Sequence, residues 1–301
     1  MRHTASWCAR FRKYTARRNV ILKCMRWFVF CAAAIACAQT VPQGNTLHVI
    51  ASGDGVSARL DGRTIRLFSQ KEGGVLGLMP IPVLEKPGAY DLDILDKNGK
   101  AVQTSTITVL DAHFPTQNVV ISKSLSELKA SPDEAEITGA FRKQVSDVRY
   151  WAEPLVKPVP GCMTSLFGVQ RLHNGKPTGD FHGGLDLRAA AGTPIHATAA
   201  GVVKIARQFN LHGGTVAIDH GQGFESMYLH MSKIAAVEGA TVQQGDVIGF
   251  AGSTGRSTAP HLHWTLYVNG VPVNPLQWVK VTACAQAPKS NVHHGSSVRH
   301  P

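Results

Sequence analysis

Three observations predict a mainly β fold for this 301-residue chain. Short runs rich in Val, Ile, Leu and Thr recur between turn signals, and most are too short to be helices. Glycine and proline number 29 and 16, a balance that favours strands and turns over helix bundles. A strong helix start occurs at one place, Ser131-Pro-Asp-Glu134. The length suits one large domain or two ordinary ones, and a hydrophobic fraction of 44% is enough to fill their cores.

Residues 1–38 read as a signal peptide. A basic stretch runs to Arg26 and is followed by the apolar run Trp27–Ala36. Ala36-Cys37-Ala38 then supplies a small-x-small cleavage pattern before Gln39. The run falls short of the ~20 apolar residues of a transmembrane helix. Two alternatives stay open: an uncleaved anchor, or a lipoprotein signal at Ala34-Ile-Ala-Cys37. Only these would attach the chain to a membrane. Cleavage would place it in the periplasm or elsewhere in the cell envelope. The formal net charge of +11 comes largely from this leader, which holds eight Lys and Arg and no acid. Without it, 23 basic residues face 20 acidic ones, so the charge gives no reason to expect a nucleic-acid partner. Four of the six cysteines also lie here, leaving Cys162 and Cys284. In an oxidising compartment that pair forms either a disulfide or two free thiols.

Residues 39–111 are expected to form a small β-sandwich of immunoglobulin-like type, an accessory domain. Thr46–Ser52 alternates through Leu47, Val49 and Ala51. Val56–Leu60 and Arg63–Phe68 flank the turn signal Asp61-Gly62; Ala89–Leu95 and Ala101–Leu110 flank Asp96-Lys-Asn-Gly99. About six strands without a helix fit two small packed sheets. Residues 112–158 form a connector with one helix. Ser131 can cap it, Pro132 suits its first turn, and Glu134 completes a capping box, with an expected end near Tyr150. Pro154, Pro158 and Pro160 then lead into residues 159–280, a glycine-punctuated antiparallel β domain. Residues 281–301 hold too few apolar side chains to pack and are expected to be a disordered tail.

The residues suited to chemistry all lie in this last domain. His182-Gly-Gly-Leu-Asp186 offers an imidazole and a carboxylate, both good zinc ligands. Gly183-Gly184 argues against a helix, and in a loop the glycines let the backbone turn so that both side chains meet one point. In His261-Leu-His263, positions i and i+2 of a strand, two histidines share a face while Leu262 packs behind. His230 ends Ser226-Met-Tyr-Leu-His230, where alternation puts it on one face with Tyr228. Three ligands with an open fourth position define a catalytic zinc site. His182, Asp186 and one histidine of the later pair would supply three, leaving the others for proton transfer. A surface or core role is expected of His173, His196, His212 and His220.

These motifs together resemble the M23 family of zinc endopeptidases, the lysostaphin/LytM-type cell-wall hydrolases. The resemblance spans roughly Pro160 to Val279. It rests on Ser165-Leu-Phe-Gly168, His182-Gly-Gly-Leu-Asp186, Gly192-Thr-Pro-Ile-His-Ala197, Asp219-His-Gly-Gln-Gly223, Tyr228-Leu-His230, Val242-Gln-Gln-Gly245, Gly252-Ser-Thr-Gly255 and Pro260-His-Leu-His263. It implies an antiparallel β-sheet groove and one zinc ion per chain, held by His182, Asp186 and His263. It implies that His230 and His261 are the catalytic histidines. The implied substrate is the stem peptide of peptidoglycan. Ala259 and Met231 depart from the family's usual Gly and Leu, and neither is a ligand position. Some members lose zinc ligands and only activate other hydrolases; this chain keeps every such position. A non-catalytic activator or wall-binding scaffold is therefore the alternative, and the sequence names no regulatory partner.

Overall fold

The computed structural model describes residues 39–284 except Asp54 and Glu72, so the leader reading at 1–38 lies outside the described residues. The chain is mainly β, as the turn-punctuated sequence predicts. Its first part holds two sheets. Five strands are ordered Gln39–Pro42, Ala101–Leu110, Gly88–Leu95, Ser57–Leu60 and Arg63–Arg66. Three more are ordered Thr46–Ala51, Val75–Pro80 and Phe68–Ser69. Both sheets contribute to one core, with Leu60, Ile94, Ile107 and Val109 from the larger and Leu47, Val49 and Met79 from the smaller. The Asp61-Gly62 turn has positive φ at both residues, the conformation that joins tight hairpins with the natural strand twist. The Val75–Pro80 strand was not evident in sequence, because its unbroken apolar run gives no alternation. Gly77 permits it: a Cβ there would lie 2.6 Å from Leu67 and 2.8 Å from the Arg66 carbonyl.

The connector helix spans Glu134–Phe141, not the longer stretch to Tyr150 that the sequence suggests. The residues beyond it bond to another element instead. Gln222 donates its N–H to the Ser146 carbonyl, and Tyr150 donates to that of His220. These tertiary bonds replace the ones that further helix would make. The capping box is half formed. Glu134 reaches back to the Ser131 N–H at 2.9 Å, while the Ser131 hydroxyl accepts from Asn210 N–H across the fold.

The rest of the chain is built on an eight-stranded sheet. Its path is Met163–Ser165, Leu185–Arg188, His261–Val268, Phe224–Met231, Gly214–Gly221, Gly201–Gln208 and Thr241–Val242, with Val271–Val273 added beside His261–Val268. One face packs on the main core through Leu185, Leu187, Tyr228, Leu262, Trp264 and Leu266. Part of the opposite face is closed by the connector helix, where Phe141 packs with Ile205, Phe209, Ala217, Met227 and Leu229. The remainder of that face stays open and carries His261 and His263.

The tail begins later than expected. Thr282 and Ala283 pair with Met163, and Cys284 is bonded to Cys162, so residues 281–284 are held against the sheet edge. Residues 285–301 lie outside the described residues. The Cys162–Cys284 disulfide closes a loop with a sequence separation of 122 that contains every candidate site residue. On the chain-entropy account such a closure stabilises the fold by about 4–5 kcal/mol. The double Cys162→Ser, Cys284→Ser variant is expected to show a matching fall in its urea midpoint. An unchanged midpoint would show that the bridge contributes little.

Candidate metal centre and groove

His182 sits in the loop between Lys176–Phe181 and Leu185–Arg188, and that loop is fixed from both sides. Its N–H donates to the Val169 carbonyl and its own carbonyl accepts from Gly168, both at 2.8 Å. Neither Gly183 nor Gly184 has positive φ, so the backbone turn does not demand them. Gly184 is required by close approach instead. A Cβ there would stand 2.5 Å from the Trp264 carbonyl and 2.9 Å from His263 Nε2. The next strand pairs Asp186 with His263 and Arg188 with His261. Leu262 is fully buried between the two histidines, which project from the other face.

Three ligand atoms converge. His182 Nε2 lies 3.0 Å from Asp186 Oδ1 and 3.0 Å from His263 Nδ1, and His263 Nδ1 lies 2.9 Å from Asp186 Oδ1. Both imidazoles are oriented by their other nitrogen. His182 Nδ1 donates to the Leu166 carbonyl at 2.6 Å, and His263 Nε2 meets the Thr265 hydroxyl at 2.9 Å. The atoms facing one another are then lone pairs. Burial would raise the pKa of Asp186, but its contacts with His182 and His263 outweigh that and hold it well below the usual range. Three acceptors this close need positive charge between them, a proton or a metal ion. Zinc with bonds of ~2.0–2.1 Å sets tetrahedral edges of about 3.3 Å, so this triangle fits after a small expansion. Arg171 holds the second oxygen, Oδ2, at 3.1 Å and fixes the carboxylate from behind.

His230 reaches the same face by a route that alternation hides. Tyr228 is fully buried in the main core, packed with Trp264 on the sheet face away from the histidines. Regular alternation would send His230 after it. Instead φ at His230 is +63° and the register with Gly214–Gly221 shifts, so the chain bulges. Met231 turns into the main core, and the His230 ring comes 4.9 Å from that of His261, centroid to centroid. The earlier placement of Tyr228 and His230 on one face is thus corrected by the bulge. His230 N–H donates to the His212 carbonyl, and Nδ1 donates to the Thr254 carbonyl at 2.9 Å. His261 Nδ1 likewise donates to the Ala259 carbonyl at 2.7 Å. Each ring therefore keeps Nε2 as its basic atom. Burial, then the neighbouring imidazoles, pushes His230 down to about 3, so it is neutral near pH 7.

The His230 bulge is supported from the connector. Glu134 is 1% exposed and accepts from Leu211 N–H and His212 N–H, and its carboxylate also meets the His212 ring. Burial opposes its ionisation, but backbone donors, Ser131 first and then His212 and Leu211, prevail and lower it to about 2. A carboxylate on the connector helix thus sets the loop whose carbonyl holds His230. Nothing in the sequence pattern pairs residues 77 or 78 positions apart. Of the other histidines, His220 is a fully buried core residue bonded to Ser226, and His196 bonds to the Gly245 carbonyl. His173 is a partly exposed surface residue, as expected, and its surface is the groove wall. Gln117, Val119 and Ile121 of the connector line it too, and sequence alone gave no sign of that wall.

On an open sheet face, two imidazoles and a carboxylate meet at one point that could hold a metal ion, with two further imidazoles beside them. The profile of Peptidase family M23 matches residues 180–275. A solved structure from Pseudomonas aeruginosa assigned to peptidase M23 is 30% identical, with a TM-score of 0.61, and the match covers 79% of this chain and 94% of that one. The chain belongs to the M23 peptidase family, whose metallopeptidases use zinc. Among curated proteins, it is 45% identical over 124 residues to the DD-carboxypeptidase/endopeptidase Mpg of Neisseria meningitidis serogroup B. It is 37% identical over 130 residues to the peptidoglycan DD-endopeptidase ShyA of Vibrio cholerae. Those matches cover 41% and 43% of this chain but 28% and 30% of the two relatives, less than a third of their length.

Proposed function

We propose that the chain is a zinc-dependent endopeptidase that hydrolyses the peptide cross-links of peptidoglycan outside the cytoplasm. His182, Asp186 and His263 hold the metal, and His230 and His261 carry protons. The observation behind this reading is the meeting of three acceptor atoms within 3.0 Å beside two imidazoles whose Nε2 atoms are left basic. Bound zinc supplies a Lewis acid and brings the pKa of water down to ~7. A neutral His230 or His261 takes a proton at Nε2 and returns it to the departing amine. While it holds that proton, the cationic ring steadies charge on the carbonyl oxygen. Asp186, locked by Arg171, keeps its oxygen aimed at the metal position throughout.

Peptide rather than sugar is favoured by the lining. Glycan hydrolysis ordinarily needs two carboxylates flanking the bond. Asp186 is the one carboxylate lining the groove among the described residues, and it is committed as a ligand. The names of the relatives point to a DD-type bond, and the bond between D-alanine and meso-diaminopimelate is the expected target, with a glycine bridge as second choice. The leader at 1–38 supports export to the periplasm or cell envelope. Purified cross-linked muropeptide dimers test the reading. Conversion to monomers, stopped by a chelator and restored by zinc, is expected. Intact dimers beside digested casein would redirect the activity to proteins.

A further inference from the structure

The groove carries more positive charge than its chemistry uses. Its volume is about 400 Å³. Arg171, Arg188 and Arg256 line it, against Asp186 as the single lining carboxylate. Arg171 is accounted for by its contact with Asp186. Arg188 and Arg256 are not: both are exposed, and neither makes an ion pair among the described residues.

Their positions are set by the same elements that set the site. Arg188 lies two residues after Asp186 in one strand, so it projects from the same sheet face, and it pairs across the sheet with His261. Arg256 lies in the loop before His261, where its N–H donates to the Leu211 carbonyl. The next residue, Ser257, meets His261 Nδ1 at 3.2 Å. Arg256 also stands close enough to His173 to oppose its protonation together with Arg171, although burial is the larger cause and Asp180 acts the other way. Two unpaired guanidiniums therefore border the imidazoles that the proposed reaction employs.

Two exposed guanidiniums on one groove are free to meet an anion, and guanidinium matches carboxylate in a two-pronged geometry. We propose that Arg188 and Arg256 bind a free carboxylate of the peptide substrate next to the scissile amide, and so select for anionic peptides. This rests on the reading of the groove as a peptidase site and adds a determinant of which peptide enters. The lining suits such a ligand: Val119 and Ile121 offer apolar surface to the peptide's aliphatic parts.

Two cross-linked peptides provide the test, identical except that one has a free carboxylate beside the bond and the other a carboxamide. Binding is read by fluorescence polarisation of the labelled peptides on the zinc-loaded full chain, and cleavage by chromatography. The carboxylate form is expected to bind about 10–100-fold more tightly, as for a charge-assisted hydrogen-bonded pair. In Arg188→Gln and Arg256→Gln that ratio should fall toward one. Equal binding of both forms by the unmodified protein would overturn the proposal and needs no variant to fold. A ratio unchanged in both variants would overturn it too. Selective binding without cleavage would uphold this recognition while refuting the peptidase reading. Equal cleavage with equal binding would do the reverse.

Discussion

His263→Ala is expected to lose bound zinc and hydrolysis together. Its Nδ1 supplies one corner of a triangle whose edges are 2.9–3.0 Å, and no other described side chain stands ready at that corner. His261 is the nearest rival, but its Nε2 lies 3.7 Å from Asp186 Oδ1, and its ring is oriented by the Ala259 carbonyl. Two remaining ligands are a poor zinc site, since catalytic centres use three. Elemental analysis should drop from about one ion per chain to near none. The variant should still fold, because His263 projects into the groove while Leu262 and Trp264 keep the strand in the core. Full zinc occupancy in the folded variant would refute the ligand assignment.

The second large effect separates binding of metal from transfer of protons. His230→Ala and His261→Ala should each keep zinc and lose rate by about 10²–10⁴-fold, the usual contribution of a positioned acid–base group. The two will not fail in the same way. His230 is 8% exposed, sits at a positive-φ bulge, and is tied to the loops at His212 and Thr254. Its replacement removes the Nδ1 tie and strains an alanine in the left-handed region, so some stability is lost as well. His261 is more open and is held mainly through Ala259 and Ser257, so its loss should be kinetic. Rates on muropeptide dimers, with zinc content beside them, distinguish the cases. Wild-type turnover in either variant would remove that histidine from the mechanism.

The two motifs that form the candidate metal centre were readable because their geometry is local. A strand places i and i+2 on one face, which brings His261 and His263 out together and sends Leu262 inward. His182 and Asp186 are four residues apart across a short loop. What was not readable depends on contacts distant in sequence. The bulge at His230 forms where the register against Gly214–Gly221 slips, and strict alternation gave the wrong partner, Tyr228. The connector helix stops at Phe141 because later backbone groups bond at His220 and Gln222. Glu134 read as half of a capping box, and it does reach Ser131, but its larger task is to hold Leu211 and His212. Thr265 could have been found, since it follows His263 by two residues on the same face. Arg171 could not, because no local pattern ties it to Asp186.

If this groove cuts peptide and leaves sugar intact, the ends created in isolated sacculi will show it. Zinc-loaded protein is incubated with sacculi, and new amino groups and new reducing sugar ends are counted in the same sample. New amino groups are expected to rise, with reducing ends at the level of untreated sacculi and both unchanged under a chelator. New reducing ends with the cross-links intact would show that the groove acts on sugar instead.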